Sequence, residues 1–112
     1  MFVKDIIPIL NAQVITAGEL DCKICSACGS DMMSDVLAYV KNQSVLLTGL
    51  VNPQVVRTAD MMDMRCIIFV RGKEPDQTTI ELAKERNITL LKTSLRMFSA
   101  CGLLYANGLK GG

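Results

Sequence analysis

Three of the five cysteines fall at a ligand-like spacing, Cys22-x-x-Cys25-x-x-Cys28, which copies the first three positions of a bacterial ferredoxin run. The fourth thiolate of such a run would fall at position 32, where this chain carries Met32, so Cys66 or Cys101 would have to supply it. If residues 22–27 are extended, Cys22 and Cys28 point to one face and Cys25 to the other, and one cluster cannot collect all three. Cys66 sits in an apolar run and Cys101 on an apolar helical stripe, where cysteine serves as a small core residue. Core packing is the first reading of these thiols. The alternative is a redox or metal role for Cys28 and Cys101, with Cys22 and Cys25 as helpers. No cofactor is expected.

The second set of residues lies where β-type runs end. Cys28, Gly29 and Ser30 follow one run, Thr48, Gly49 and Asn52 another, and Arg71 and Gly72 a third. In open α/β sheets, ligands bind beyond the carboxyl ends of parallel strands, beside helix N-termini with unpaired N–H groups. Gly49 and Gly72 let the backbone approach a ligand closely, and Arg57, Arg71 and Lys73 can hold an anionic group. Read singly, the glycines make turns and the basic residues are solvated. Their convergence on one edge is what makes a small-anion or nucleotide site the expectation.

Other chemistries lack their residues. The chain has no His, which removes the commonest general base, every triad built on His and the mixed Cys/His zinc sites. Neither G-x-x-x-x-G-K-[ST] nor G-x-G-x-x-G occurs, so no phosphate cradle is present for phosphoryl transfer. Asp31 and Asp35, four apart at a helix start, read as capping residues that suit the helix dipole. No nucleophile, base and orienting group assemble at a defensible spacing, so the chain is not expected to be an enzyme.

These residues need elements to hold them. Five β-type runs, at about 13–17, 22–27, 44–48, 66–70 and 88–91, alternate with helical patterns. The last three are almost wholly apolar and one βα unit apart, as buried parallel strands joined by crossover helices require. Met32, Met33, Val36, Leu37 and Val40 form a helical stripe running to about Lys41, with Ser30 and Asp31 as candidate N-caps. Asn52-Pro53 opens the next helix, which buries Val55, Val56, Ala59 and Met62. Glu74-Pro75-Asp76 opens a third, with Ile80 and Ala83 inward. Thr93 or Ser94 caps a fourth, with the stripe Met97, Phe98, Cys101, Leu104 and Tyr105, and Asn107-Gly108 stops it. A short helix over 3–10 fits Val3, Ile6, Ile7 and Leu10, although Pro8 would kink it. The short link 18–21 forbids a parallel crossover between the first two strands. The expected architecture is a three-layer α/β/α domain with a mixed, mostly parallel sheet of about five strands, spanning 1–110 with 111–112 as its tail, the chain being loose from Gly108 onward.

Composition bounds the rest. With 112 residues, half of them apolar and 21% charged, the chain fits one domain with one core. A net charge of +1 offers no footprint for nucleic acid or an anionic membrane. No apolar run approaches the roughly 18 residues of a spanning helix, and the N-terminus lacks a signal-peptide cleavage pattern, so a cytoplasmic protein is expected. The mean hydropathy of +0.32 and seven methionines exceed what one thin α/β domain readily hides. A homodimer, through the helix that begins at Met32 or the one from Pro53 to Met62, is expected.

The segments Cys28-Gly-Ser-Asp-Met-Met-Ser-Asp-Val-Leu37, Leu47-Thr-Gly-Leu-Val-Asn-Pro-Gln54, Phe69-Val-Arg-Gly-Lys-Glu-Pro75 and Met97-Phe-Ser-Ala-Cys-Gly102, in this order, make the chain similar to stand-alone DRTGG-domain proteins. Through them it resembles the N-terminal domain of HPr kinase/phosphorylase, without that enzyme's P-loop domain. The resemblance covers about 3–110. It implies an α/β/α fold and a non-catalytic regulatory or dimerisation module of the kind found beside CBS domains in regulatory proteins and some inorganic pyrophosphatases. It also implies a protein partner in an oxidoreductase or metabolic regulatory system. Thr48-Gly49 matches the Thr-Gly that usually precedes Asp-Arg in the family, but Leu50-Val51 stands where that acidic–basic pair is expected, and Arg71-Gly72 replaces the later Thr-Gly-Gly.

Overall fold

The computed structural model describes residues 1–39 and 44–111. In chain order the elements are α1 (Val3–Leu10), β1 (Gln13–Thr16), β2 (Ser26–Gly29), α2 (Met33–Tyr39), β3 (Ser44–Thr48), α3 (Pro53–Met61), β4 (Cys66–Phe69), α4 (Gln77–Glu85), β5 (Thr89–Lys92), α5 (Met97–Ala106) and β6 (Lys110–Gly111). The strands form one six-stranded sheet in the order β1-β5-β4-β3-β2-β6. Strands β2 to β5 run parallel, β6 joins β2 in parallel, and β1 lies antiparallel to β5.

The apolar runs alternate between two cores, as a sheet covered on both faces requires. Val45, Leu47, Cys66, Ile68 and Leu91 pack with Val3, Ile6 and Leu10 of α1 and Ala100 and Leu104 of α5. Leu46, Ile67, Phe69 and Leu90 point the other way, against Val36 of α2, Val55, Val56 and Ala59 of α3 and Ala83 of α4. The three crossover helices therefore share one face, and α1 and α5 cover the other.

The sheet and its crossover spacing match the sequence reading; several details do not. The second strand is Ser26–Gly29 rather than 22–27, because the segment before it is tied to α1. Val3 N–H donates to Cys22 O, Ile24 N–H to Met1 O, and Lys23 bridges Phe2. A sixth strand stands where a loose tail was expected: Lys110 and Gly111 pair with Ser26 and Ala27 and extend the sheet past β2. Pro8 does not break α1, which buries Val3, Ile6 and Leu10 and closes at Asn11 in a left-handed conformation (φ 49°). The N-cap of α5 is Arg96, not Thr93 or Ser94. The Thr93 hydroxyl instead donates to Leu10 O and accepts from Leu95 N–H.

Two predicted helical stripes are only partly buried. On α2, Val36 is buried, whereas Met32 just before it and Leu37 are exposed. Val40 and Lys41 lie outside the described residues. On α5, Ala100 and Leu104 form the inward ridge, so Phe98 is 91% exposed and Tyr105 also faces outward. A helix apolar on every side gives no periodic signal to say which side is the core.

Candidate functional site

Parallel pairing sets the carboxyl ends of β2 to β5 side by side. Gly29 is level with Leu47, Thr48 with Phe69, and Phe69 with Lys92. The segments that leave these strands are fastened to one another: Ser30 N–H donates to Leu47 O (3.0 Å), Val70 N–H to Thr48 O (3.0 Å) and Gly72 N–H to Thr93 O (2.8 Å). Of the residues expected to bind ligand, Gly29, Ser30, Thr48, Gly49, Asn52, Arg71 and Gly72 thus stand along one edge.

The edge is organised by a residue read from sequence as a cap. Asp31 Oδ1 accepts the Thr48 hydroxyl at 3.0 Å and Gly49 N–H at 2.7 Å. Thr48 Oγ1 in turn accepts Leu50 N–H at 3.1 Å. The turn into α2 is served locally by Ser30, whose Oγ accepts Met32 N–H at 2.9 Å. Asp31 was legible in principle: it follows β2 as Thr48-Gly49 ends β3, and parallel neighbours bring such positions together.

Arg71 reaches the same point from the loop after β4. Its backbone is left-handed (φ 60°), followed by Gly72 (φ 67°), and its N–H donates to Leu95 O at 2.8 Å. This reversal lays the guanidinium across Gly49, where a Cβ would lie 3.2 Å from Cζ and closer still to a terminal nitrogen. A side chain at position 49 would have to push the guanidinium aside. Among the described residues no carboxylate pairs with Arg71 or Lys73.

Beside them lies an open depression of about 470 Å³, lined by Gly49, Leu50, Val51, Asn52, Lys73, Glu74 and Asp76. Its two acids are already engaged. Glu74 pairs with Lys92, whose hydrogen bond and charge hold the Glu74 carboxyl below its ordinary range. Asp76 caps α4, accepting Thr79 N–H at 2.9 Å and its hydroxyl at 2.8 Å, and these bonds lower its pKa too. Asn52 makes no side-chain capping bond, so its amide is available at the rim. The uncommitted charge here is cationic.

Arg57 does not join this group. It lies a turn into α3 and lines a separate depression between α3 and α4, with Gln77, Glu81 and Glu85. Cys28 and Cys101 are not brought to one face either. Cys28 packs against the α2–α4 core, whereas Cys101 packs against the core beneath α1 and α5. Burial raises the thiol pKa of both, and it raises that of wholly buried Cys66 far more. No cluster of three or more metal-ligating side chains forms among the described residues.

The profile of the DRTGG domain matches residues 5–106. The chain belongs to the DRTGG domain family. Its fold is shared with the crystal structure of the CBS and DRTGG domains of the regulatory region of Clostridium perfringens pyrophosphatase, complexed with its activator diadenosine tetraphosphate. That likeness has a TM-score of 0.73 at 18% identity, over 92% of this chain and 45% of that one. The chain therefore spans less than half of the structure it resembles, and no curated relative matches it. In this DRTGG domain the acidic–basic pair is missing after Gly49 in sequence, and Asp31 and Arg71 both reach Gly49 from other segments. Among the described residues, no helix is long and apolar enough to cross a membrane.

Proposed function

We propose that this DRTGG domain is a non-catalytic regulatory module of the cytoplasm that senses a small anionic ligand or nucleotide at the carboxyl edge of its sheet. Gly29, Ser30, Thr48, Gly49, Asn52, Arg71 and Gly72 form the contact edge, with Cys28 beneath it and Arg57 outside it. The observation that carries the reading is the Arg71 guanidinium: it lies over Gly49 with no carboxylate partner among the described residues, next to Lys73 and a depression whose acids are occupied. An unpaired guanidinium offers parallel N–H donors that suit two oxygens of a tetrahedral phosphate. That a regulatory region containing a DRTGG domain beside CBS domains is complexed with a nucleotide activator supports the class of ligand.

The test is calorimetric titration of the full chain with AMP, ATP, diadenosine tetraphosphate and inorganic pyrophosphate. Binding of at least one, weakened about tenfold or more by Arg71→Ala, is expected. Gly49→Ala should weaken it as well, because the new methyl pushes the guanidinium aside while leaving the core intact. Absence of binding by every probe, or binding indifferent to Arg71→Ala, overturns the reading.

The same reading includes self-association. Met32, Leu37 and Met61 are 60%, 42% and 72% exposed along the α2 and α3 side of the molecule. Flexible apolar side chains of this kind suit a twofold contact. A regulatory domain built this way transmits ligand occupancy to a second copy or to a protein partner in an oxidoreductase or metabolic regulatory system.

A further inference from the structure

Gly49 N–H and the Thr48 hydroxyl each have one proton to give, and both are given to one oxygen of Asp31, at 2.7 and 3.0 Å. Thr48 and Gly49 are buried at the β3 end, so Asp31 covers their two donors, and the Arg71 guanidinium lies close by, against Gly49. An arriving anion that uses them meets a carboxylate already in place. Asp31 itself is exposed, and among the described residues its second oxygen has no protein partner. The carboxylate is therefore held by its contacts to the β3 end alone and can rotate into water, where it is well solvated.

We infer that Asp31 is an internal competitor for the anion site: its carboxylate occupies the donor pair at Thr48 and Gly49, and an external anion binds there by displacing it. This rests on the anion-sensing reading above and adds to it the residue that sets the affinity. Two consequences follow from chemistry alone. The apparent affinity for an anion is reduced by the fraction of molecules in which Asp31 is off the site. Displacement also releases the Asp31 side chain from the β3 end, while Ser30 keeps the turn into α2 in place through Met32 N–H.

The experiment uses the full chain and inorganic pyrophosphate, with affinity read by calorimetry and site occupancy by the chemical shift of the Gly49 amide. Asp31→Ala is expected to bind pyrophosphate about tenfold tighter than the natural chain, and Asp31→Asn, which keeps the acceptor but not the charge, a few-fold tighter. Arg71→Ala added to Asp31→Ala should remove the gain. Should Asp31→Ala fail to fold, Asp31→Asn decides by the same sign. Equal or weaker binding by the Asp31 variants, with the natural chain still binding in an Arg71-dependent way, overturns the competitor and leaves the anion site standing. Absence of binding by the natural chain and both Asp31 variants overturns the two together.

Discussion

Cys101 of α5 seats its sulfur on the bare backbone of Gly29, where a Cβ would lie 2.7 Å from Sγ and 3.1 Å from the Met97 sulfur. The contact docks α5 on the sheet edge at β2, and it explains a glycine in a strand that would otherwise favour a side chain. Gly29→Ala should therefore destabilise the fold by about 1–3 kcal/mol through overpacking. Cys101→Ala alone should lower stability by roughly 1 kcal/mol. The double substitution should recover much of the loss, because the methyl at position 29 then fills the space vacated by sulfur. Additive losses in urea unfolding would show that the two residues do not share this space.

Thiol reactivity should rank with burial. Cys66 is fully enclosed and its thiol is pushed far above the ordinary range, so native protein at neutral pH should leave it unlabelled by iodoacetamide. Cys28 and Cys101, raised by partial burial, should react more slowly than a free thiol. Mass spectrometry of timed samples reads this directly. Rapid labelling of Cys28 and Cys101 at pH 7 would revive the redox reading that the sheet between them argues against.

Acid stability should report on Asp76 and Glu74. Both carboxyls are held below their unfolded values, Asp76 by the Thr79 N–H and hydroxyl and Glu74 by Lys92. A depressed folded pKa contributes stability that is present above the unfolded pKa and lost as pH falls through the folded one. Melting temperature should thus fall as pH drops below about 4, the unfolded range of these groups. Asp76→Ala should lower the melting temperature at pH 7 and flatten that acid limb. A variant with an unchanged acid limb would show that the cap does not contribute.

Self-association should depend on Met61, which is 72% exposed at the end of α3. Sedimentation equilibrium at tens of micromolar should show a dimer of the 12.2 kDa chain, and Met61→Glu should shift it to monomer with helix content intact. A monomer in the natural chain defeats the dimer. A dimer that survives Met61→Glu moves the contact elsewhere, with Phe98 of α5 the next residue to substitute.

The amino-acid sequence by itself determined the central layer of this protein. Apolar runs at Val45, Ile67 and Leu90, one βα unit apart, can be satisfied only by a sheet covered on both faces, and Pro53 opens α3 at its first position while Pro75 stands just before the Asp76 cap of α4. It also marked Thr48, Gly49, Arg71 and Gly72, because glycine and charge at strand ends are local signals. What only tertiary structure decided depended on contacts between distant segments. Strand β2 begins at Ser26 because Cys22 and Ile24 are claimed by the start of α1, and the two residues of β6 become a strand only by finding the free edge of β2. Phe98 faces water because Ala100 and Leu104 fit the sheet more closely. Asp31 reads as a helix cap in sequence, where its nearest donors belong to its own turn. In the folded chain parallel pairing carries Thr48 and Gly49 within reach, and a carboxylate bonds to the donors that space, rather than sequence, puts beside it.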